Sequence, residues 1–340
     1  MKRSPVLVIT GASSGIGRAT ALRFARRRAS LVLVSRNQDA LDAVAEECRR
    51  RGARAVPLAA DVTDAAALER VATRTVVQFG RVDVWVNAAA VSTFGDFESI
   101  PEEEFARVLE VNALGVANGA RAALMAMTAR RRGVIVNISS ILGEIPQPFS
   151  APYGMSKAAV RALGASLRTE LALRGLRGIH VVTILPPTID TPLFRHAGNH
   201  TGRRVVALPP VYPPALVARA IEDAVRHPSR PERVLGLLGR ALVHQHRRHP
   251  RAVELQLGAQ TFATNLSPIS PQHDTSGILF EPGSAEEAAV TGGWHGGLKM
   301  GIRVALGWAI ALALVSTAIA KTPPAIWTST RRRTARAFPR

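Results

Sequence analysis

Thr10-Gly11-Ala12-Ser13-Ser14-Gly15-Ile16-Gly17 follows the apolar run Val6-Leu7-Val8-Ile9 and leads into a segment of helical character. Small residues at such a turn let the backbone come close to an anionic group. The start of the following helix adds unpaired N–H groups and the positive end of a dipole. Glycines alone mark only a turn, but the strand–turn–helix setting is what a pyrophosphate-binding loop requires. Residues 10–17 are therefore expected to cradle the phosphates of a dinucleotide.

Outward from this loop, short apolar runs alternate with longer helix-like stretches. The runs are Val6–Thr10, Leu31–Ser35, Ala55–Ala60, Val82–Asn87, Val134–Ser139, His180–Leu185 and Val234–Leu238. Continuous apolar runs suit strands buried on both faces of a parallel sheet, and the intervals are long enough for crossover helices. One interval opens with Pro101 and the acids Glu102, Glu103 and Glu104, which are helix-start signals. The pattern predicts an α/β, Rossmann-type doubly wound sheet of about seven strands, with helices on both faces, over residues 1–240.

The second run ends Val34-Ser35-Arg36. A fold that binds NAD usually places an acid here for the ribose 2′-hydroxyl, whereas an arginine accommodates a 2′-phosphate. Arg36 and, behind the last loop glycine, Arg18 supply that charge, so the reading favours NADP over NAD. The alternative is that both are solvated arginines of an arginine-rich chain.

Further motifs complete a pattern that resembles the short-chain dehydrogenase/reductase family over residues 4–240. The loop matches TGxxxGxG, and Tyr153-Gly154-Met155-Ser156-Lys157 matches YxxxK. Ser140 lies thirteen residues before Tyr153, and Asn112 stands in the long central helical segment. Asp61-Val62 matches the adenine-contacting pair, Asn87-Ala88 the loop after the fourth strand, and Pro186 through Ile189 to Thr191 the segment after the sixth. The resemblance implies that Asn112, Ser140, Tyr153 and Lys157 are catalytic. It also implies that Lys157 holds ribose hydroxyls, that Asn112 supports a water-linked proton relay, and that Thr191 contacts the nicotinamide carboxamide. The chemistry is reasonable: an ordinary tyrosine has a pKa near 10 and is a poor proton shuttle. An ammonium four residues on, one helical turn away, would favour the phenolate. Ser140 could then stabilise the substrate oxygen.

Two departures from the family pattern bear on loop geometry. The usual NNAG reads Asn87-Ala88-Ala89-Ala90, and the glycine expected after Pro186 is Pro187. Ile145, Pro146, Pro148, Phe149, Leu193, Phe194 and Tyr212 make the presumed substrate region apolar, pointing to an apolar alcohol or carbonyl compound. A homo-oligomer is expected.

The remaining chain reads as an extension. Residues 241–297, rich in Pro, Gly, Ser and Thr after 261, read as a partly disordered linker. Val304–Ala320 is an uncharged apolar run within an expected helix 298–322, and 323–340 is a basic tail. Alanine-rich and near the lower length limit for a span, the run is expected to lie on a membrane surface at the cytoplasmic side, or else to dock on the enzyme. The net charge of +19, from 44 Lys and Arg against 25 Asp and Glu, is compatible with an anionic surface. With aromatics at 5% and no DNA-binding motif, no nucleic-acid partner is expected. The N-terminal apolar run is too short for a secretory signal core. The single cysteine, Cys48, excludes an internal disulfide and reads as a half-buried apolar residue. No metal site is expected. The rival to an oxidoreductase is a non-catalytic Rossmann nucleotide-binding scaffold at a membrane.

Overall fold

A computed structural model describes residues 4–294. Its central sheet holds β1 (Val6–Thr10), β2 (Ser30–Ser35), β3 (Arg54–Ala59), β4 (Val84–Asn87), β5 (Gly133–Ile138), β6 (Ile179–Leu185) and β7 (Glu232–Val234). Every pairing in it is parallel, and the spatial order is β7-β6-β5-β4-β1-β2-β3. The winding direction reverses between β1 and β4. In an open α/β sheet that switch point leaves a crevice beyond the carboxyl ends of the strands.

The two-residue period of the strands sorts their side chains to opposite faces. Leu7, Ile9, Leu31 and Leu33 join one apolar core with Phe24 of α1 (Gly15–Ala25), Val44 of α2 (Gln38–Arg50) and Ile221, which the seventh helix carries. Val8, Val32 and Trp85 join the other core with Leu68 of α3 (Ala65–Phe79). Val108 of α4 (Glu102–Leu109), Met127 of α5 (Gly115–Thr128) and Leu171 of α6 (Ala151–Leu173) belong to this second core. That seventh helix is α7 (Pro214–Arg226). Local chemistry starts the helices where the sequence signals them. The Asn37 side chain accepts from the Ala40 amide and the Asp64 side chain from Ala67, both at 2.9 Å. Pro101 precedes α4, whose first turn carries the three glutamates. Between α4 and α5 the helix widens into a π-turn, Glu110–Leu114, with Asn112 inside it. Cys48 is fully buried rather than half-buried, and burial pushes its thiol up to about 12.

Two expectations need correction. The seventh strand ends at Val234, not Leu238, because Gly236 turns the chain at φ +74° and Leu237 starts a helix. The stretch read as a partly disordered linker from 241 is folded as far as 294. It holds most of α8 (Leu237–Arg248), all of α9 (Pro250–Gln260), and an extended segment Leu266–Pro271 paired antiparallel with Arg203–Val205. Residues 275–294 then cross the crevice in irregular conformation. Their composition lacks periodicity because they bond to the sheet domain through main-chain atoms, not because they lack partners. The apolar run 304–320, the expected helix 298–322 and the basic tail lie outside the described residues. Among the described residues no helix is long and apolar enough to cross a membrane.

Trp85 is fully buried at the centre of the sheet, and its indole N–H donates to Asn87 Oδ1 at 2.9 Å. Trp85→Ala should cost about 3–5 kcal/mol in reversible urea unfolding, from lost burial and the cavity left behind. Val77→Ala, at a site 83% exposed on α3, should stay within about 0.5 kcal/mol. Equal effects would contradict this placement of the core.

Candidate active site

The loop after β1 is shaped by what its glycines lack. Gly11 and Gly15 adopt φ of +65° and +50°, which side chains disfavour. A Cβ on Gly17 would overlap the Gly11 carbonyl, so only glycine lets α1 begin this close to the turn. Thr10 braces the neighbouring loop: its hydroxyl accepts from the amides of Ala88 at 3.1 Å and Ala89 at 3.3 Å. Ala88, Ala89 and Ala90 all avoid positive φ, so the departure from NNAG leaves the loop without strain of that kind. Asn87, fully buried, links Trp85 to Asn137 of β5 and thereby ties the sheet together beneath the cleft.

A cleft of about 580 Å³ opens above this loop. Its floor includes Gly11, Ser13, Ser14, Gly15 and Ile16 from the glycine loop. Ser35, Arg36, Asp61, Val62 and Ala88 border one end, and Pro186, Ile189 and Thr191 border the other with Ser140, Tyr153 and Lys157. Thr10, Gly17, Asn87 and Asn112 stand behind it as supports. A run of small residues at a helix N-terminus, an arginine at the tip of β2 and an elongated cleft together fit a dinucleotide. No cluster of His, Cys, Asp or Glu suited to a metal ion occurs among the described residues.

At the β2 end Asp61 is held rigidly. It accepts from the Thr63 amide and hydroxyl, both at 2.9 Å, and pairs with Arg107 at 2.6 Å. Burial pushes its carboxyl up, but the Thr63 amide and Arg107 together hold it below the usual range. Arg107 escaped the reading of the sequence, where it is one arginine of a helix. Arg36 reaches into residues 278–281, and burial draws its pKa down.

At the other end, α6 positions Tyr153 and Lys157 one turn apart. Ser139 fixes this helix by donating to the Lys157 carbonyl at 2.7 Å. The Lys157 ammonium, fully buried, donates to the Ile138 carbonyl at 3.1 Å and lies 5.4 Å from the centroid of the Tyr153 ring. Burial lowers its pKa to about 8. Burial also pushes the Tyr153 phenol up to about 12, opposed by a hydrogen bond from Ser140. Desolvation is the larger influence on this phenol, and the Lys157 ammonium lies over its ring. Asn112 is committed elsewhere: its side chain bonds both backbone groups of Val91, at 2.9 and 2.8 Å, and the Ser156 hydroxyl at 3.1 Å. Its observed role is to clamp the loop after β4 to α6.

The outer wall at this end comes from the extension. Leu238, Leu242 and Leu257 of α8 and α9 face the cleft with Gln245 and Gln260. Leu193, Phe194 and Tyr212 line it as expected. Ile145 instead packs beneath it against Val243, Val253 and Leu257, and Phe149 joins a separate cluster with Phe94 and Val205. Nothing in the periodicity of 237–260 distinguishes a cleft wall from an ordinary amphipathic hairpin.

The model of the short chain dehydrogenase family matches residues 5–201. The chain belongs to that family. A similar curated protein is the oxidoreductase YxnA of Bacillus subtilis, 36% identical over 230 residues, or 67% of this chain. This chain spans 64% of that relative, less than two thirds of its length. Among solved structures, an alcohol dehydrogenase from Thermococcus sibiricus complexed with 5-hydroxy-NADP is 28% identical at a TM-score of 0.60, covering 68% of this chain and 96% of that one. A short-chain dehydrogenase/reductase from Burkholderia phymatum in complex with NAD is 25% identical at a TM-score of 0.66, covering 78% and 98%. Members of the family thus bind either nicotinamide dinucleotide.

A buried lysine with a pKa of about 8, against 10.5 when unfolded, penalises the native state while charged. Between those values the unfolded chain binds more protons, so the penalty is relieved as pH rises. Lys157→Met should therefore raise stability near pH 7 and lose that advantage progressively above about pH 8, most of it by about pH 10.5, as read from urea midpoints. An advantage independent of pH would contradict the burial of a titrating amine.

Proposed function

We propose that the protein is an NADP(H)-dependent oxidoreductase that interconverts an alcohol and a ketone or aldehyde, with Tyr153 as the general acid and base. The observation that carries the reading is the convergence of Ser140, Tyr153 and Lys157 at one end of a cleft whose other end holds the glycine loop and Arg36. Gly11 to Gly17 and the α1 N-terminus would hold the pyrophosphate, Arg36 the 2′-phosphate, and Lys157 and Thr191 the nicotinamide half. When bound, the dinucleotide supplies or accepts the hydride.

The residues of the chain then handle the proton. Burial keeps the Tyr153 phenol protonated through neutral pH but also makes it a weaker acid, so it gives its proton only to a more basic oxygen, such as the alkoxide formed as hydride reaches a carbonyl. Ser140 donates a second hydrogen bond to the same oxygen and disperses that charge. The protonated phenol is the form that carbonyl reduction would use. In the reverse direction, Tyr153 must lose its proton first, which a rising pH assists. The apolar wall of Leu193, Phe194, Leu238 and Leu257, free of charge and punctuated by Gln245 and Gln260, suits a neutral, largely apolar substrate with a hydrogen-bonding group at its far end. The membrane-surface role of the C-terminal run belongs with this proposal as a means of meeting such substrates.

With NADPH and a panel of apolar ketones and aldehydes, followed at 340 nm, at least one carbonyl should be reduced. Tyr153→Phe should lower turnover by about 10²–10⁴-fold while leaving NADPH affinity within about threefold. Activity retained within about twofold in Tyr153→Phe would remove this residue from the proton step. NADPH binding without turnover on any carbonyl would favour the scaffold reading.

A further inference from the structure

The stretch 275–294 follows the cofactor cleft from end to end, and its anchors are the groups that a dinucleotide would need. At the β2 end, Arg36 donates from Nη1 to the carbonyls of Leu279 at 3.1 Å and Phe280 at 2.7 Å. From Nη2 it donates to Ile278 at 2.6 Å and, more weakly, to Glu281 at 3.5 Å. Arg107, already paired with Asp61, adds a bond to the Leu279 carbonyl at 3.0 Å, and the Leu279 side chain is fully buried in the core beneath. Asn37 donates to Gly283 at 2.7 Å. At the helix start, the Gly15 amide donates to Ala289 at 2.9 Å, and Arg18 bonds the Ala288 carbonyl. At the far end, the buried Asp190 carboxylate receives the amides of Gly292 at 2.9 Å and Trp294 at 2.8 Å.

The carbonyl cluster at Arg36 has a chemical meaning. Several oxygens converging on one planar guanidinium reproduce the arrangement that phosphate oxygens adopt around arginine. The fork of Arg36 cannot serve both sets at once, since both terminal nitrogens are engaged. A 2′-phosphate carries formal negative charge and makes charge-assisted bonds on both sides, whereas a peptide carbonyl offers only a dipole. A ribose 2′-hydroxyl brings no such charge.

We infer that the segment 278–281 is an internal competitor for the 2′-phosphate subsite, so that NADP(H) displaces it from Arg36 while NAD(H) leaves it in place. This rests on the dinucleotide reading of the cleft. The strap thereby makes the 2′-phosphate a signal as well as a handle. NADP(H) binding loosens 276–283, and the strap opposes NADP(H) affinity until it yields. Gly277 is its hinge: φ is +52°, and a Cβ there would overlap the His196 carbonyl and Ala197.

Hydrogen–deuterium exchange on the full chain tests this directly, with binding of each cofactor followed in parallel by calorimetry. Saturating NADP⁺ should accelerate exchange of the amides across 276–283, and saturating NAD⁺ should not. Protection of these amides by NADP⁺, or the same response to both cofactors, overturns the inference while leaving the dinucleotide reading intact. Failure of both cofactors to bind overturns both. As a second variant-based readout, Gly277→Val should dislodge the strap and tighten NADP⁺ by about tenfold, equivalent to about 1.4 kcal/mol. Its NAD⁺ affinity should change less than about twofold. An unchanged NADP⁺ affinity in a variant with native circular dichroism also overturns the competitor role.

Discussion

The close approach of Gly17 to the Gly11 carbonyl shapes the floor of the cleft. Helix α1 can start directly above the end of β1 only because position 17 carries no Cβ to meet the Gly11 carbonyl. That contact fixes where the helix N-terminus points. It also seats Thr10 so that its hydroxyl braces the loop after β4. Since β1 sits beside β4 at the winding reversal, one tight turn positions both walls of the crevice. The path of the loop and the bracing of the alanines both depend on this local steric condition, while the sheet order rests on the strand pairings.

At the opposite end the controlling force is desolvation. Both Tyr153 and Lys157 move toward their neutral forms, the phenol to about 12 and the amine to about 8. Burial penalises charge on either group. Burial thus leaves a neutral phenol beside an amine that gives up its proton unusually easily. Ser140 is the group whose hydrogen bond works against burial at the phenol.

Much of this was legible in the sequence because it depends on short-range rules. Alternating apolar runs located seven strands, and Pro101 with its glutamates located the start of α4. The glycine loop announced itself through a steric requirement that acts within eight residues. What stayed hidden depends on contacts between distant segments. The partner of Asp61 is Arg107, and the partners of Arg36 are main-chain carbonyls more than 240 residues away, which have no side-chain signature. The end of the seventh strand was misjudged because a positive φ at Gly236 outweighed the apolar character of Leu237 and Leu238. Residues 275–294 read as disordered for the same reason: an extended strap held by its backbone needs no periodic side chains. Asn112 illustrates a different limit, since its residue type and position were clear while its side-chain partners were not.

The proposed function depends on the turn between β1 and α1 holding the pyrophosphate of a nicotinamide dinucleotide. Calorimetric titration of the full chain with NADPH, beside Gly17→Val, tests it most directly. Saturable binding to one site is expected in the parent and none detectable in the variant, with the parent's circular dichroism retained. Binding of equal affinity in the folded variant would contradict it.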